Sequence, residues 1–390
     1  MSRKKILFCA NIHQHFRGFH LPVFQWFQEQ GWEVHAAAGG EADLPYTDRV
    51  FDIGIRRSPF HAGNWKAYRQ LRKLIKEENY DIVHGHTPMG GVLARTAARA
   101  ARRQGTKVMY TAHGFHFCKG APLLNWLAYY PIEKALSSIT DCLITINHED
   151  YTLAVDRKFR AGRISHVHGA GVNTERYQPA SPPRKEELRH RFGYGEEEFL
   201  MVYAAEFNGN KNQQLLLQAM VHVKEKHPEA KLLLAGEGPL LLACRELAAR
   251  LNVADRVEFL GYRKDIADLL QMSDAAVGAS FREGLPVNIM EAMACGLPVI
   301  ASDNRGHCEL IADGVNGFIV PPDDARMFAA RILQVSRSQE LRDRMAVENV
   351  RRVKEKYSLE QVKAELSDLY KSYMEAADET TESQYHHAYL

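Results

Sequence analysis

No two cysteines in this sequence stand in a C-x-x-C spacing. The six present (Cys9, Cys118, Cys142, Cys244, Cys295 and Cys308) are scattered, mostly in apolar runs. That indicates neither a disulfide framework nor a cysteine zinc site, and a reducing compartment is the simplest reading. No run of ~18 apolar residues occurs, so no membrane-spanning helix is predicted. The basic lead Met1-Ser-Arg-Lys-Lys5 resembles the front of a signal peptide, but the apolar run after it ends at Asn11 and His13. A first buried strand and a cytoplasmic location are the better reading. A dominant charge sign is missing too: 50 Lys and Arg against 48 Asp and Glu leave +2, which gives no general pull toward nucleic acid. Among 18 histidines there is no HxxxH and no Asp-x-Asp flanked by strands, so no metal ligand set is assigned. His13/His15 and His84/His86 are only weak metal pairs.

What is present is alternation. A chain of 390 residues suggests two or three domains. Short apolar strands are predicted at 5–10, 33–38, 51–55, 82–85, 107–112, 142–146 and 164–168. Helical patterns at 21–30, 65–78 and 91–104 lie between them. A linker-like stretch, Gln178-Pro-Ala-Ser-Pro-Pro-Arg184, precedes a charged helix at 185–192. Strands resume at 199–204, 231–235, 256–260, 275–279, 298–301 and 318–320. Strands apolar on both faces and linked by helices imply parallel sheets covered on both sides. The fold class is therefore α/β, with two Rossmann-like domains facing a cleft at the carboxyl ends of their strands.

The most informative segment spans 280–300: Ser-Phe-Arg-Glu283-Gly-Leu-Pro-Val-Asn-Ile-Met-Glu291-Ala-Met-Ala-Cys-Gly-Leu-Pro-Val-Ile. Two carboxylates stand eight positions apart around a Gly-Leu-Pro loop and a helix start. Pro286 suits a first helical turn. The amides of Gly284, Leu285 and Val287 are then free for an anion beside the positive helix end. Hydroxyls and phosphates together describe a nucleotide-sugar.

This segment matches the E-x7-E motif of the GT4 family of retaining glycosyltransferases, and the chain resembles that family from about 4 to 373. Asp81-Ile-Val-His-Gly-His-Thr-Pro88, Gly169-Ala-Gly-Val-Asn173, Ala235-Gly-Glu-Gly-Pro239 and Asp313-Gly-Val-Asn-Gly317 agree in order and spacing. Arg57-Ser-Pro-Phe60, His113-Gly-Phe-His-Phe117 and Asp303-Asn-Arg-Gly-His307 look like a bacterial exopolysaccharide-biosynthesis subgroup. The resemblance implies the GT-B fold. It divides the chain into an acceptor-side domain (1–175), a linker (176–196), a nucleotide-sugar-binding domain (197–357), a helix returning to the first domain (358–376) and a flexible tail (377–390).

The resemblance also implies roles. Glu291 would accept from the ribose hydroxyls. Glu283 would face the sugar, and Lys211 would neutralise the departing diphosphate. Where the family has an arginine five positions before that lysine this chain has Glu206, so Asn208, Asn210, Arg282 or a helix start would compensate. His113 would contact the donor sugar, titrating near neutrality. Tyr262 and Arg263 would line the base pocket. Arg17, Gly18 and His116 are acceptor-side candidates, the first two in a loop at 10–19. The segment 119–136, with Trp126, Tyr129 and Tyr130, suits either a membrane-surface helix or one packed on its own sheet.

The expected activity is transfer of a hexose or N-acetylhexosamine from a nucleotide diphosphate donor, UDP-linked, to a saccharide acceptor carried on polyprenyl diphosphate at the inner membrane face. Neither a metal nor another cofactor is expected. The rivals are a UDP-N-acetylglucosamine 2-epimerase and a non-catalytic nucleotide-sugar-binding partner.

Overall fold

The computed structural model describes residues 3–41 and 43–387. Two compact units form. The first takes the chain up to Ala170 and again from Val362 onward, and the second is Gly171–Gln361.

In the first unit, β1 (Lys5–Ile12), β2 (Glu33–Gly39), β3 (Arg49–Asp52), β4 (Ile82–His86), β5 (Lys107–Ala112), β6 (Cys142–Thr145) and β7 (Arg163–His166) form one sheet of order β3-β2-β1-β4-β5-β6-β7. Every pairing is parallel. Alternate residues of a strand face opposite ways. Accordingly Ile6, Phe8 and Ala10 of β1 enter one core with Phe24, Phe27 and Trp32, while Leu7 and Cys9 enter another with Leu71, Val83 and Ala94. Burial of both faces explains why these strands read as unbroken apolar runs.

In the second unit, β8 (Phe199–Ala204), β9 (Ala230–Ala235), β10 (Val257–Gly261), β11 (Ala275–Gly278), β12 (Val299–Ser302) and β13 (Gly317–Val320) pair in the order β10-β9-β8-β11-β12-β13, again all parallel. All thirteen expected strands are present, their bounds moved by at most three residues.

Three local expectations need amendment. The segment 10–19 is not a plain loop, because His13–Phe19 is helical with Phe16 fully buried. The helix after the linker begins at Pro182, whose fixed φ suits a first turn. The C-terminal helix runs Leu359–His387, past the expected 376, and residues 388–390 lie outside the described residues. Val362, Leu369 and Tyr370 of that helix belong to the core of the first unit. The Tyr370 hydroxyl lies 2.7 Å from His84 Nδ1 on β4. No disulfide joins the six cysteines, of which Cys308 alone is exposed.

The helix Pro88–Arg102 lies so close to the sheet that a Cβ on Gly91 would stand 2.2 Å from the Tyr110 ring. A Cβ on Gly18 would meet nothing within 4 Å. In urea unfolding, Gly91→Ala should therefore lose at least the roughly 1–3 kcal/mol of an overpacked core. Gly18→Ala, inside a helix, should gain up to about 1 kcal/mol.

Candidate active site

Parallel sheets gather ligands at the carboxyl ends of strands, where strand order reverses. In the second unit this point lies between β8 and β11, and the loops 205–212 and 279–286 leave from it. Lys211 Nζ, on the first loop, is 2.5 Å from Glu283 Oε1 on the second. Their side chains are only 21% and 14% exposed, so water screens the pair weakly. Asn208 shapes the lysine turn: its Oδ1 accepts from the amides of Asn210 and Lys211 at 3.0 and 3.1 Å. Its Nδ2 donates to Glu206 Oε2 at 3.0 Å, which gives the anomalous glutamate a structural partner. Asn210 stitches the loops together, donating to Arg282 O at 2.9 Å and accepting from the Phe281 amide at 2.8 Å. Below them the Tyr203 hydroxyl lies 2.8 Å from Ser280 Oγ and donates to Lys211 O at 3.3 Å.

Gly284 and the buried Leu285 lead into the helix Val287–Ala294. Pro286 is its N-cap, with φ −77° and ψ 114°, rather than a first-turn residue as the sequence suggested. No side chain caps this end. The first-turn amides, Val287 among them, have no intrahelical acceptor and remain a site for an anion.

Sequence reading missed the support beneath this loop. Asn304 caps the helix Arg305–Leu310 by accepting from the His307 amide at 3.0 Å, and its Nδ2 donates to Ser280 O at 2.8 Å. Ser302 Oγ donates to the same carbonyl at 2.5 Å. Arg305 Nε donates to Glu283 O at 3.0 Å. Gly306 touches the loop directly, since a Cβ there would be 2.8 Å from Glu283 Cβ and 3.0 Å from Pro286 Cδ. The signal was an Asn N-cap with a Gly two positions on, in the segment noted only for its likeness to a subgroup.

Glu291 lies within the helix, hydrogen-bonded by Tyr177. Burial raises its pKa from the ordinary 4.5 to about 7, with Tyr177 and Arg176 opposing. The carboxyl is therefore part-protonated at neutral pH before any ligand arrives. Tyr262 is 69% exposed just past β10. Arg263 is held by Asp265 through two bonds, at 2.8 and 2.5 Å. A base pocket there would have an exposed tyrosine and an arginine already paired.

In the first unit the reversal lies between β1 and β4. His113 follows β5 and sits with His15, His20 and His86, one ring nitrogen of each lying within 4.8 Å of the others. Burial lowers the pKa of all four, so His113 is neutral at pH 7 instead of titrating there. Arg17 lines a cleft of about 430 Å³ with His13, Gln14, Glu41 and Asp43, and donates to Asp43 O at 2.5 Å. Gly18 lies in the helix His13–Phe19, with open space where a Cβ would stand. His116 is exposed and stacks on Tyr129 at 4.7 Å.

Two family models match: "Glycosyltransferase Family 4" over residues 23–176 and "Glycosyl transferases group 1" over 184–352. The chain is 52% identical, over 95% of its length and 97% of the other's, to "Putative glycosyltransferase EpsD" of Bacillus subtilis (strain 168). The chain belongs to glycosyltransferase family 4. A second family relative is the UDP-Gal:alpha-D-GlcNAc-diphosphoundecaprenol alpha-1,3-galactosyltransferase of Escherichia coli, 30% identical over 70% of each chain. Among solved structures, Anabaena HepE in complex with UDP and glucose matches with TM-score 0.78 at 20% identity, over 95% of this chain and all of that one. Sucrose-phosphate synthase from Thermosynechococcus elongatus matches at 0.75 and 19%, over 96% of this chain and all of that one. The fold is GT-B and the protein is a glycosyltransferase.

Two outcomes follow from this geometry. Gly306→Ala should leave the protein folded by circular dichroism yet cut transferase turnover about 100-fold, the effect of a catalytic group displaced by ~1 Å. Glu291 has a folded-state pKa above its unfolded value, so its ionisation costs stability as pH rises from about 4.5 to about 7. Glu291→Gln should match the wild type in denaturant midpoint at pH 4 and exceed it at pH 8.

Proposed function

We propose that the chain transfers a hexose or N-acetylhexosamine, with retention of anomeric configuration, from a UDP-linked donor to a saccharide on polyprenyl diphosphate. The observation that carries this reading is the half-buried Lys211–Glu283 pair beside an uncapped helix start at the β8/β11 reversal. The bond from the anomeric carbon to the diphosphate breaks, and the diphosphate leaves with the electron pair. Lys211 and the helix amides stabilise that charge without a metal. The acceptor oxygen bonds the anomeric carbon on the same face, and its proton passes to the leaving phosphate. Glu283 offsets positive charge on the sugar, Glu291 accepts from the ribose diol, and Tyr262 and Arg263 flank the base. His113 contacts the sugar as a neutral imidazole, and Arg17 and His116 serve the acceptor. The names of the two relatives support an exopolysaccharide role and a diphosphate-lipid acceptor.

Among the described residues no helix is long and apolar enough to cross a membrane. Peripheral contact is supported by the helix Leu123–Ser137. Its Trp126, Tyr129 and Tyr130 pack inward on Phe115, Phe117 and Phe159, and Glu133 pairs with buried Arg95 at 2.9 Å. Its Leu123, Leu124 and Leu127 are 72%, 73% and 67% exposed. The aromatic residues are thus on the core side, and the leucines are the face for an acyl-chain boundary.

The test is a panel of nucleotide-sugars with vesicle-borne and short water-soluble acceptors. One UDP-sugar should give a product with the donor's anomeric configuration. Lys211→Ala should lose about 100- to 1,000-fold in turnover, as when a charge-stabilising donor is removed. Leu124→Glu should lower transfer to the vesicle-borne acceptor alone. Epimerised donor with no acceptor product, or full turnover by Glu283→Ala, would sink the reading.

A further inference from the structure

The four histidines of the first unit form a cluster of which His113, read above as a sugar contact, is only one member. His15 lies in the helix His13–Phe19 and His20 at that helix's C-cap. His86 is the last residue of β4, and His113 follows β5. The nitrogens meet in two facing pairs, His15 Nε2 to His20 Nε2 at 3.1 Å and His86 Nδ1 to His113 Nε2 at 3.3 Å. In tetrahedral zinc sites with Zn–N of ~2.0–2.1 Å, adjacent nitrogens lie about 3.3–3.4 Å apart. Both pairs come within a few tenths of an ångström of that edge.

The other observations agree. His20 and His86 are buried. Rings of Phe8 and Phe16 lie against the group, Phe8 stacking on His86 at 6.0 Å and Phe16 standing edge-on to it at 6.4 Å. The ligand set is imidazole alone, with no carboxylate among its members. Magnesium and calcium demand oxygen ligands, whereas imidazoles suit zinc, copper and nickel.

We propose that His15, His20, His86 and His113 bind one late first-row divalent transition metal ion, with zinc as the reference, at the β1/β4 reversal of the first unit. The ion clamps the helix His13–Phe19 to the ends of β4 and β5. The sequence hid the set because its members stand 5, 66 and 27 positions apart. The proposal does not rest on the transfer reaction, and the donor diphosphate needs no part of it.

The test uses the full chain, freed of any affinity tag and stripped with a chelator, with Zn2+ or Co2+ as the probe. Competition against a chromophoric chelator should show one tight zinc per chain. Co2+ should give the intense visible bands of a tetrahedral site. His15→Asn and His113→Asn should each weaken zinc binding by more than the roughly 10–100-fold that loss of an outer-shell partner costs. His61→Asn, an exposed histidine outside the group, should not. The proposal is overturned if Co2+ gives only weak octahedral absorption on the wild type, a result independent of how the variants fold. It is equally overturned if folded His15→Asn and His113→Asn bind zinc like the wild type.

Discussion

Each of the two sheets reverses its strand order once, and that reversal decides where chemistry can collect. β1 has β2 on one side and β4 on the other, and β8 has β9 and β11. The connections leaving the two central strands part in opposite directions, so their carboxyl ends open a crevice no crossover covers. Both sheets place a polar cluster there. In the first unit it is four histidines. In the second it is Lys211, Glu283 and the shell of Asn208, Asn210, Ser280 and Asn304.

The second cluster is a device for holding opposite charges ready at little cost. An ammonium and a carboxylate 2.5 Å apart neutralise each other in a half-buried setting. A diphosphate entering beside the helix start would share the lysine with Glu283. Glu206, which stands where the family has a cation, is turned to Asn208 and thereby shapes the loop that presents Lys211. Its carboxylate is engaged in the loop, and an anion bound at the helix start would rest more on the helix amides. Glu291 differs from that pair: its carboxyl is buried, and burial raises its pKa to about 7.

The central strands were legible because both faces of each are buried, which leaves runs of apolar residues without a helical period. The 283–291 motif was legible because its members lie close in sequence. What escaped depends on the third dimension. The helix His13–Phe19 carries Gln14, His15 and Arg17 and has no capping side chain, so its stability comes from burying Phe16. Pro286 takes an extended ψ because the loop before it is tied to Asn210 and Arg305. The orientation of Leu123–Ser137 turns on Glu133 meeting Arg95 on the helix Pro88–Arg102, a contact that no pattern within 119–136 announces. The histidine group needs the strand order itself before its members become neighbours.

The C-terminal helix has a consequence for the order in which the molecule is finished. Val362, Leu369 and Tyr370 complete the core around Phe8, Trp26 and Phe27, and His84 finds its hydroxyl partner on Tyr370. The first unit, although synthesis starts with it, cannot close until residue 370 has left the ribosome. By then 171–361 is already available to fold. The nascent first sheet must wait with Trp26 and Phe27 incompletely covered through the making of an entire neighbour, and apolar surface left open that long is prone to aggregate.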